Sequence, residues 1–377
     1  MKTFIQNIRQ RYHLKDYKFS LVALVLTISV IGVFIVGSAQ ASSQGKQVQG
    51  VILGVIAMAV ISLIDYEWVL NNFYWLMYVV NIAFLVAVLL FGVNTNGATR
   101  WLNLGFIQFQ PSDLTKIITI LFYAKLLSKY EQAINHMRFI IVSVVLMLPS
   151  LALIYKQPNL SNTLCLAMLF CVLMYMGGLS YKFIRTMLVI FVPLAVVLFI
   201  IVIQPNQPLI HQYQQNRILA WLEPEKYESE EAYQQLNSIM AIGSGQLTGK
   251  GYNSDATTSV KNGNFISEPQ TDFIFAIIGE ELGFVGCCAV IILLLLIVID
   301  CILIGMKAKD TAGRIICAGV AALIGIQSFI NISVATMLFP NTGISLPFIS
   351  YGMTSVVCFY MGIGFVLNVG LQPNKYQ

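Results

Sequence analysis

The chain has 377 residues, of which 57% are hydrophobic and 10% charged, against about 25% charged in a soluble chain. A water-soluble fold of this composition would expose large apolar patches, so soluble enzymes and disordered chains are excluded. The net charge of +5 is spread along the sequence and is no footprint for nucleic acid. What remains is an all-α polytopic integral membrane protein.

Residues 1–18 hold Lys2, Arg9, Arg11, Lys15 and Lys18 ahead of the first apolar run. That run lacks a small-residue cleavage site and is expected to be a retained helix, with 1–18 a cytoplasmic amphipathic segment. A bilayer core about 30 Å thick takes roughly 20 apolar residues per helix. Ten runs qualify: about 19–40, 47–64, 73–93, 112–128, 138–155, 161–178, 184–203, 273–305, 312–338 and 347–370. The fourth is short and polar at its start. The eighth is long, carries Glu280 and Glu281, and is expected to bend at Gly283 and Gly286. The seven cysteines all lie in apolar runs with no C-x-x-C pair, as packing residues do. The three histidines are scattered and form no metal cluster.

Cytoplasmic loops of membrane proteins are enriched in Lys and Arg. With both termini inside, 14 of the 22 basic residues fall on the cytoplasmic side. The domain layout is then a single transmembrane unit over 19–370, a large outer loop at 204–272 between helices 7 and 8, and a short cytoplasmic tail at 371–377. Lys46, Arg100, Lys116 and Lys156 sit near the outer ends of helices 2 to 5, against the bias. Snorkelling explains one or two of them; four together point to an anionic ligand at the outer leaflet. Arg217, Lys226, Lys250 and Lys261 lie in the outer loop.

That loop is too long to be a passive connection and keeps aromatics such as Tyr213, Trp221 and Phe265. Residues 226–241 are expected to form an amphipathic helix on the membrane surface, with Tyr227, Tyr233, Leu236, Ile239 and Met240 available for its apolar face. The stretch Gly243–Gly251 fails the nucleotide P-loop spacing. It is either a phosphate cradle built from backbone amides or a flexible turn. Glu268 and Asp272 stand four apart just before helix 8, where capping is the first expectation for Asp272. Glu280 and Glu281 are either functional intramembrane carboxylates or partners of an outer lysine.

Several blocks occur together. They are Asn96-Gly-Ala-Thr-Arg-Trp101, Gln110-Pro-Ser-Asp113 with Lys116, Gln157-Pro-Asn-Leu160, Tyr233-Gln234 with Asn237-Ser238, and Ala241–Gly245. They continue with Gly249-Lys-Gly251, Glu268-Pro-Gln-Thr-Asp-Phe273, Glu280-Glu-Leu-Gly283 and Leu346-Pro-Phe-Ile-Ser-Tyr-Gly352. In order and spacing the chain resembles the family of shape, elongation, division and sporulation (SEDS) proteins along its whole length, and its short tails lean toward the RodA-like side. Departures are Asp113 for the usual Glu, Asn159 for Asp, Gln270 for His, Asn237 for Gln and Met353 for Gly. The first two put the roles of positions 113 and 159 in doubt.

The resemblance implies a peptidoglycan glycosyltransferase in the bacterial cytoplasmic membrane that polymerises lipid II, with Asp272 as the essential aspartate. It implies as partners a class B penicillin-binding protein and other membrane proteins of a cell-wall complex, and no nucleic acid. A carboxylate general base suits the chemistry, so Asp272 is the candidate catalytic residue. Lys46, Arg100, Lys116, Arg217, Lys250 and Glu268 are candidates for binding substrate or holding the cavity. Asp113 and Lys116 can pair on one helix face, in a role either structural or catalytic; Glu281 and Ser350 are candidates for shaping the cavity. A divalent cation, Mg or Mn, at the pyrophosphate is compatible with this reading, although no ligand cluster is visible. Two alternatives remain: a transporter of a lipid-linked precursor, and a non-enzymatic scaffold.

Overall fold

A computed structural model describes residues 17–95, 98–103, 105, 108–204, 207, 210, 212–227, 232–253 and 265–372. The expected N-terminal amphipathic segment up to residue 16, most of the C-terminal tail, and Lys261 lie outside the described residues. Ten helices fall on the ten apolar runs: α1 (Phe19–Ala39), α2 (Ala41–Leu63), α3 (Tyr66–Phe91), α4 (Pro111–Lys129), α5 (Met137–Lys156), α6 (Leu160–Met176), α7 (Tyr181–Ile203), α10 (Ile274–Met306), α11 (Thr311–Ala335) and α12 (Met353–Gly370). The outer loop adds α8 (Gln212–Leu222) and α9 (Tyr233–Ser244). Three short antiparallel strands, β1 (Val93–Thr95), β2 (Ala98–Asn103) and β3 (Gln108–Phe109), join α3 to α4 in the order β1-β2-β3. The chain is a multi-pass membrane protein: eight helices are long and apolar enough to cross a bilayer. The exceptions are α6, which has 17 residues, and α4.

The polarity of α4 has a structural reason. It carries Asp113, Lys116, Lys125 and Lys129, which would be costly against lipid. The bundle places it at the centre, packed on α3, α6, α11 and α12, with nearly all of its outer two-thirds buried. Around this axis, α2 and α12 form the most extensive helix pair. They approach closely because Gly54 faces the ring of Tyr360 and Gly364 faces Met58 and Ile61, the use of small residues typical of intramembrane packing. At the cytoplasmic end, the Tyr66 hydroxyl donates to Asp310 at 2.7 Å and Lys309 pairs with Glu67 at 2.9 Å, tying the α2–α3 and α10–α11 turns together.

Helix α10 has 33 residues, about 50 Å at ~1.5 Å per residue, longer than a bilayer core. It breaks at Gly283, whose φ of 64° and ψ of −163° are open essentially to glycine alone. A helix break strands backbone donors and acceptors. Here the glycine-rich segment 245–251 takes them up. Lys250 and Gly251 donate to the carbonyls of Glu280 and Glu281, and Phe284 and Val285 donate to the carbonyls of Gln246 and Leu247, all at 2.8–3.1 Å. The segment is therefore neither a flexible turn nor an amide cradle: the Gly249, Lys250 and Gly251 amides are already engaged.

The loop helix begins later than the expected residue 226 and keeps its apolar residues on the outward side. It starts at Tyr233 and turns a polar face inward, burying Gln235, Asn237, Ser238 and Ala241, while Tyr233, Ile239 and Met240 are exposed. The reason lies beneath it. The end of α11 and the irregular segment after it present carbonyls that need donors. Gln235 supplies Val334 O (3.0 Å) and Phe339 O (2.8 Å), and Ser238 supplies Ala335 O (2.7 Å).

Candidate active site

The outer ends of α4, α6, α10, α11 and α12 meet β2 and α8 around two irregular segments, 265–273 and 336–352. Asp272 stands at the end of the first. It does not cap α10: Phe273 holds the N-cap position and makes no side-chain cap bond. Instead the backbone on the N-terminal side of the helix is anchored at three successive carbonyls. Gln270 O accepts from the Tyr351 amide (2.8 Å), Thr271 O from the Ser350 hydroxyl (2.6 Å) and Asp272 O from the Asn331 side-chain amide (2.8 Å). Ser350 is thus a fastening between the two segments, and it also accepts from the Leu346 amide at 2.7 Å.

The second segment has no regular secondary structure, yet four side chains from three helices hold its carbonyls. Trp221 donates to Met337 O (3.0 Å), Arg217 to Asn341 O (3.1 Å), Ser161 to Thr342 O and Asn331 to Ile344 O (2.7 Å). At its centre, Gly343 has φ +68°, and a Cβ there would stand 3.2 Å from Asp272 Oδ2. The backbone of residue 343 therefore forms one wall against the carboxylate.

Enclosure in the protein raises the proton affinity of Asp272 above the ordinary carboxylate range. The guanidiniums of Arg217 and then Arg100 oppose that rise, and Glu268 adds slightly to it. Burial disfavours the charged form and nearby cations favour it. Arg217 comes from α8 and Arg100 from β2, where it donates to Pro158 O at the entry to α6. Glu268 is exposed in a turn with φ +61°, held by Thr271 bonding back to its carbonyl. Asp272 thus lies under the influence of two cations and one anion drawn from separate parts of the sequence.

The other candidates are placed differently. Lys116 is 2% exposed and pairs with Asp113 at 2.9 Å inside α4. Lys250 pairs with Glu280 at 2.7 Å, fastening segment 245–251 to the break in α10, and Glu281 accepts from Ser38 of α1. Lys46 is exposed on α2. Among the described residues no group of three or more His, Cys, Asp or Glu could hold a metal ion. Asn331 and Gly343 are absent from the sequence-based candidates; the only signal for Asn331 is a polar residue within an apolar run, and for Gly343 there is none.

Known proteins resemble this chain along nearly its whole length. The MrdB peptidoglycan glycosyltransferase of Escherichia coli K12 is 29% identical over 353 residues, 93% of this chain and 92% of that one. A probable FtsW peptidoglycan glycosyltransferase of Trichlorobacter lovleyi is 30% identical over 385 residues, 97% and 96% of the two chains. Among solved structures, a chain from a peptidoglycan synthase complex coordinating polymerization and crosslinking superposes with a TM-score of 0.78. It is 26% identical, with 94% of this chain and 97% of that one covered. The rod shape determining protein RodA of Thermus thermophilus superposes with a TM-score of 0.69 at 25% identity, covering 94% and 96%. The family model described as cell cycle protein, FTSW_RODA_SPOVE, matches residues 14–375. The chain belongs to that family.

Proposed function

We propose that this protein polymerises lipid II into β-1,4-linked glycan at the outer face of the cytoplasmic membrane and releases undecaprenyl pyrophosphate. Peptidoglycan glycosyltransfer is the activity for which its full-length relatives are named. The observation that carries the finer reading is Asp272, half-buried against the backbone of Gly343 and lying in the fields of Arg217 and Arg100.

In the proposed step the 4-hydroxyl of the acceptor sugar attacks the anomeric carbon of the donor. Asp272 accepts the hydroxyl proton as the new C–O bond forms. The bond to the lipid pyrophosphate breaks with its electron pair on the leaving oxygen, so direct displacement inverts the α-linked donor to the β product. General-base help of this kind is worth about 10²–10⁴-fold. A raised proton affinity makes the carboxylate a stronger base, and the arginines stabilise the pyrophosphate as its charge grows. Lys116, buried and paired, is assigned to holding α4 in place, and Lys250 to holding the break in α10. If a divalent cation sits at the pyrophosphate, Asp272 and Glu268 are the carboxylates at hand. Mg²⁺ commonly takes one or two carboxylates and draws its other ligands from phosphate and water. A class B penicillin-binding protein is the proposed partner, supported by the likeness to a chain of a synthase complex.

The test is polymerisation of labelled lipid II by the purified protein with its partner, read as a glycan ladder on a gel. Wild-type polymer that disappears in a folded Asp272→Ala variant is the expected result. Polymer from Asp272→Ala would remove Asp272 as base. Lipid II crossing liposome bilayers without polymerisation would favour transport, and no polymer from the intact complex would favour a scaffold.

A further inference from the structure

Asn331 lies near the outer end of α11 beside the buried polar Gln327, Ser328 and Ser333, and is 1% exposed. Its amide nitrogen spends both hydrogens on backbone: Asp272 O at 2.8 Å and Ile344 O at 2.7 Å. Its own oxygen is buried with no hydrogen-bond partner among the described residues. A leucine of similar volume would leave no such orphan acceptor but would strip both carbonyls of their donor, so the two effects on stability oppose each other. The distinctive contribution of Asn331 is geometric. The two carbonyls belong to the two irregular segments that meet at the candidate base, and they flank the Gly343 wall against the carboxylate.

We propose that Asn331 is a positioning residue for glycosyl transfer, bridging the Asp272 and Ile344 carbonyls so that the carboxylate is held at a fixed place between Gly343 and the two arginines. This rests on the reading of Asp272 as the general base. The bridge acts on the main chain of Asp272, one residue from the start of α10, while Ser350 and Tyr351 hold the two residues before it. On the other segment, Arg217 and Ser161 hold the carbonyls of Asn341 and Thr342. Ser350 also bonds both segments, at Thr271 and Leu346; Asn331 is the side chain among these whose bond falls on Asp272 itself. The charged groups acting on Asp272 are Arg217 from α8, Arg100 from β2 and Glu268 from its own segment. Without the bridge, segment 265–273 is free to draw the carboxylate away from the arginines. A base displaced by about 1 Å loses on the order of 10²-fold in rate, and one farther from its cations keeps its proton to higher pH.

The experiment measures initial polymerisation rate against pH and lipid II concentration for the intact protein–partner complex carrying Asn331→Leu, with thermal unfolding alongside. The expected result is a protein that still folds, with heat stability lowered by no more than the two lost hydrogen bonds, and kcat lower by about 10²-fold. KM for lipid II should stay within about twofold, and the acid limb of the rate should move to higher pH. Asn331→Ser, which keeps a polar but shorter group, should show the same limb movement with a smaller loss. It decides the matter if Asn331→Leu does not fold. Wild-type kcat in either folded variant would overturn the inference. So would a lower rate with an unmoved acid limb, which is what loss of folded protein alone produces. Asp272→Ala runs in the same series. If it still makes polymer, the base reading fails and this inference with it. If it makes none while Asn331→Leu matches wild type, only this inference fails.

Discussion

Replacing Gly283 by alanine attacks the break in α10 at its hinge. The backbone there has φ 64° and ψ −163°, a region whose occupation by a non-glycine residue costs about 1–3 kcal/mol. The added Cβ would also meet backbone rather than yielding side chains: it would lie 2.7 Å from the Leu247 carbonyl carbon and oxygen, and closer still to the Gly249 nitrogen. Segment 245–251 must therefore lift, releasing four backbone hydrogen bonds at roughly 0.5–1.5 kcal/mol net each. Strain and lost bonds together give about 3–9 kcal/mol, the upper end applying only if all four bonds go unreplaced. Gly249→Ala strikes the same seam from the other side, since its Cβ would collide with the Glu281 carbonyl. Because either change lifts one shared segment, the double variant should be little worse than the worse single, a non-additivity expected of coupled sites. Gly243→Ala is the control. It sits in α9 with open space around its Cβ, where alanine should stabilise by about 0.5–1 kcal/mol. Thermal unfolding in detergent, read by aggregation-coupled size exclusion, ranks the four variants against wild type. A Gly283→Ala variant as stable as wild type, or full additivity with Gly249→Ala, would refute the account of the seam.

Three other outcomes are expected. Enclosure raises the Asp272 proton affinity, so its contribution to stability is fully present below the unfolded-state value and is lost as pH rises through the folded-state value. Asp272→Asn should thus be inactive yet melt higher than wild type at neutral pH, with the difference vanishing in acid. In the wild type the same sign places the acid limb of polymerisation above the ordinary aspartate range. Lys116→Met alone leaves Asp113 buried without its cation and should cost about 3–5 kcal/mol, while Lys116→Met with Asp113→Leu should recover most of it, measured by the same melts. Tyr66→Phe removes the bond to Asp310 at 2.7 Å and should destabilise by about 1.5–3 kcal/mol, as for a hydrogen bond to a charged group.

The spans were legible because hydropathy acts locally: ten apolar runs became ten helices, and even α4 was found despite its charges. The task of the inner face of α9 was not. The amphipathic pattern shows which side is apolar, and Tyr233, Ile239 and Met240 do face outward, but nothing in it announces that Gln235 and Ser238 on the polar side would serve a row of carbonyls. Segment 245–251 failed for a related reason. Its glycines were visible, as was the coming bend at Gly283, but nothing in either stretch announces that one supplies the hydrogen bonds missing from the other. Asp272, Arg100 and Arg217 were singled out as scarce charges on the outer side, and the structure places the two arginines where they act electrostatically on Asp272. Asn331 was missed because one asparagine beside Gln327, Ser328 and Ser333 looks like any interhelical polar contact. Its targets are main-chain atoms 13 and 59 residues away.

Segment 336–346 is recognised by its surroundings almost entirely through main-chain oxygens. Trp221, Gln235, Arg217, Ser161 and Asn331 bond to carbonyls that every amino acid possesses. Gly343 and the buried core residues Ile344 and Leu346 apart, the segment's constraint is one of counting. Exchanging a side chain there leaves the acceptors where they were, whereas inserting or deleting a single residue moves each downstream acceptor out of register with its donor. A mutational scan should therefore find the stretch from 336 to 342 far more tolerant of substitution than of any change in length.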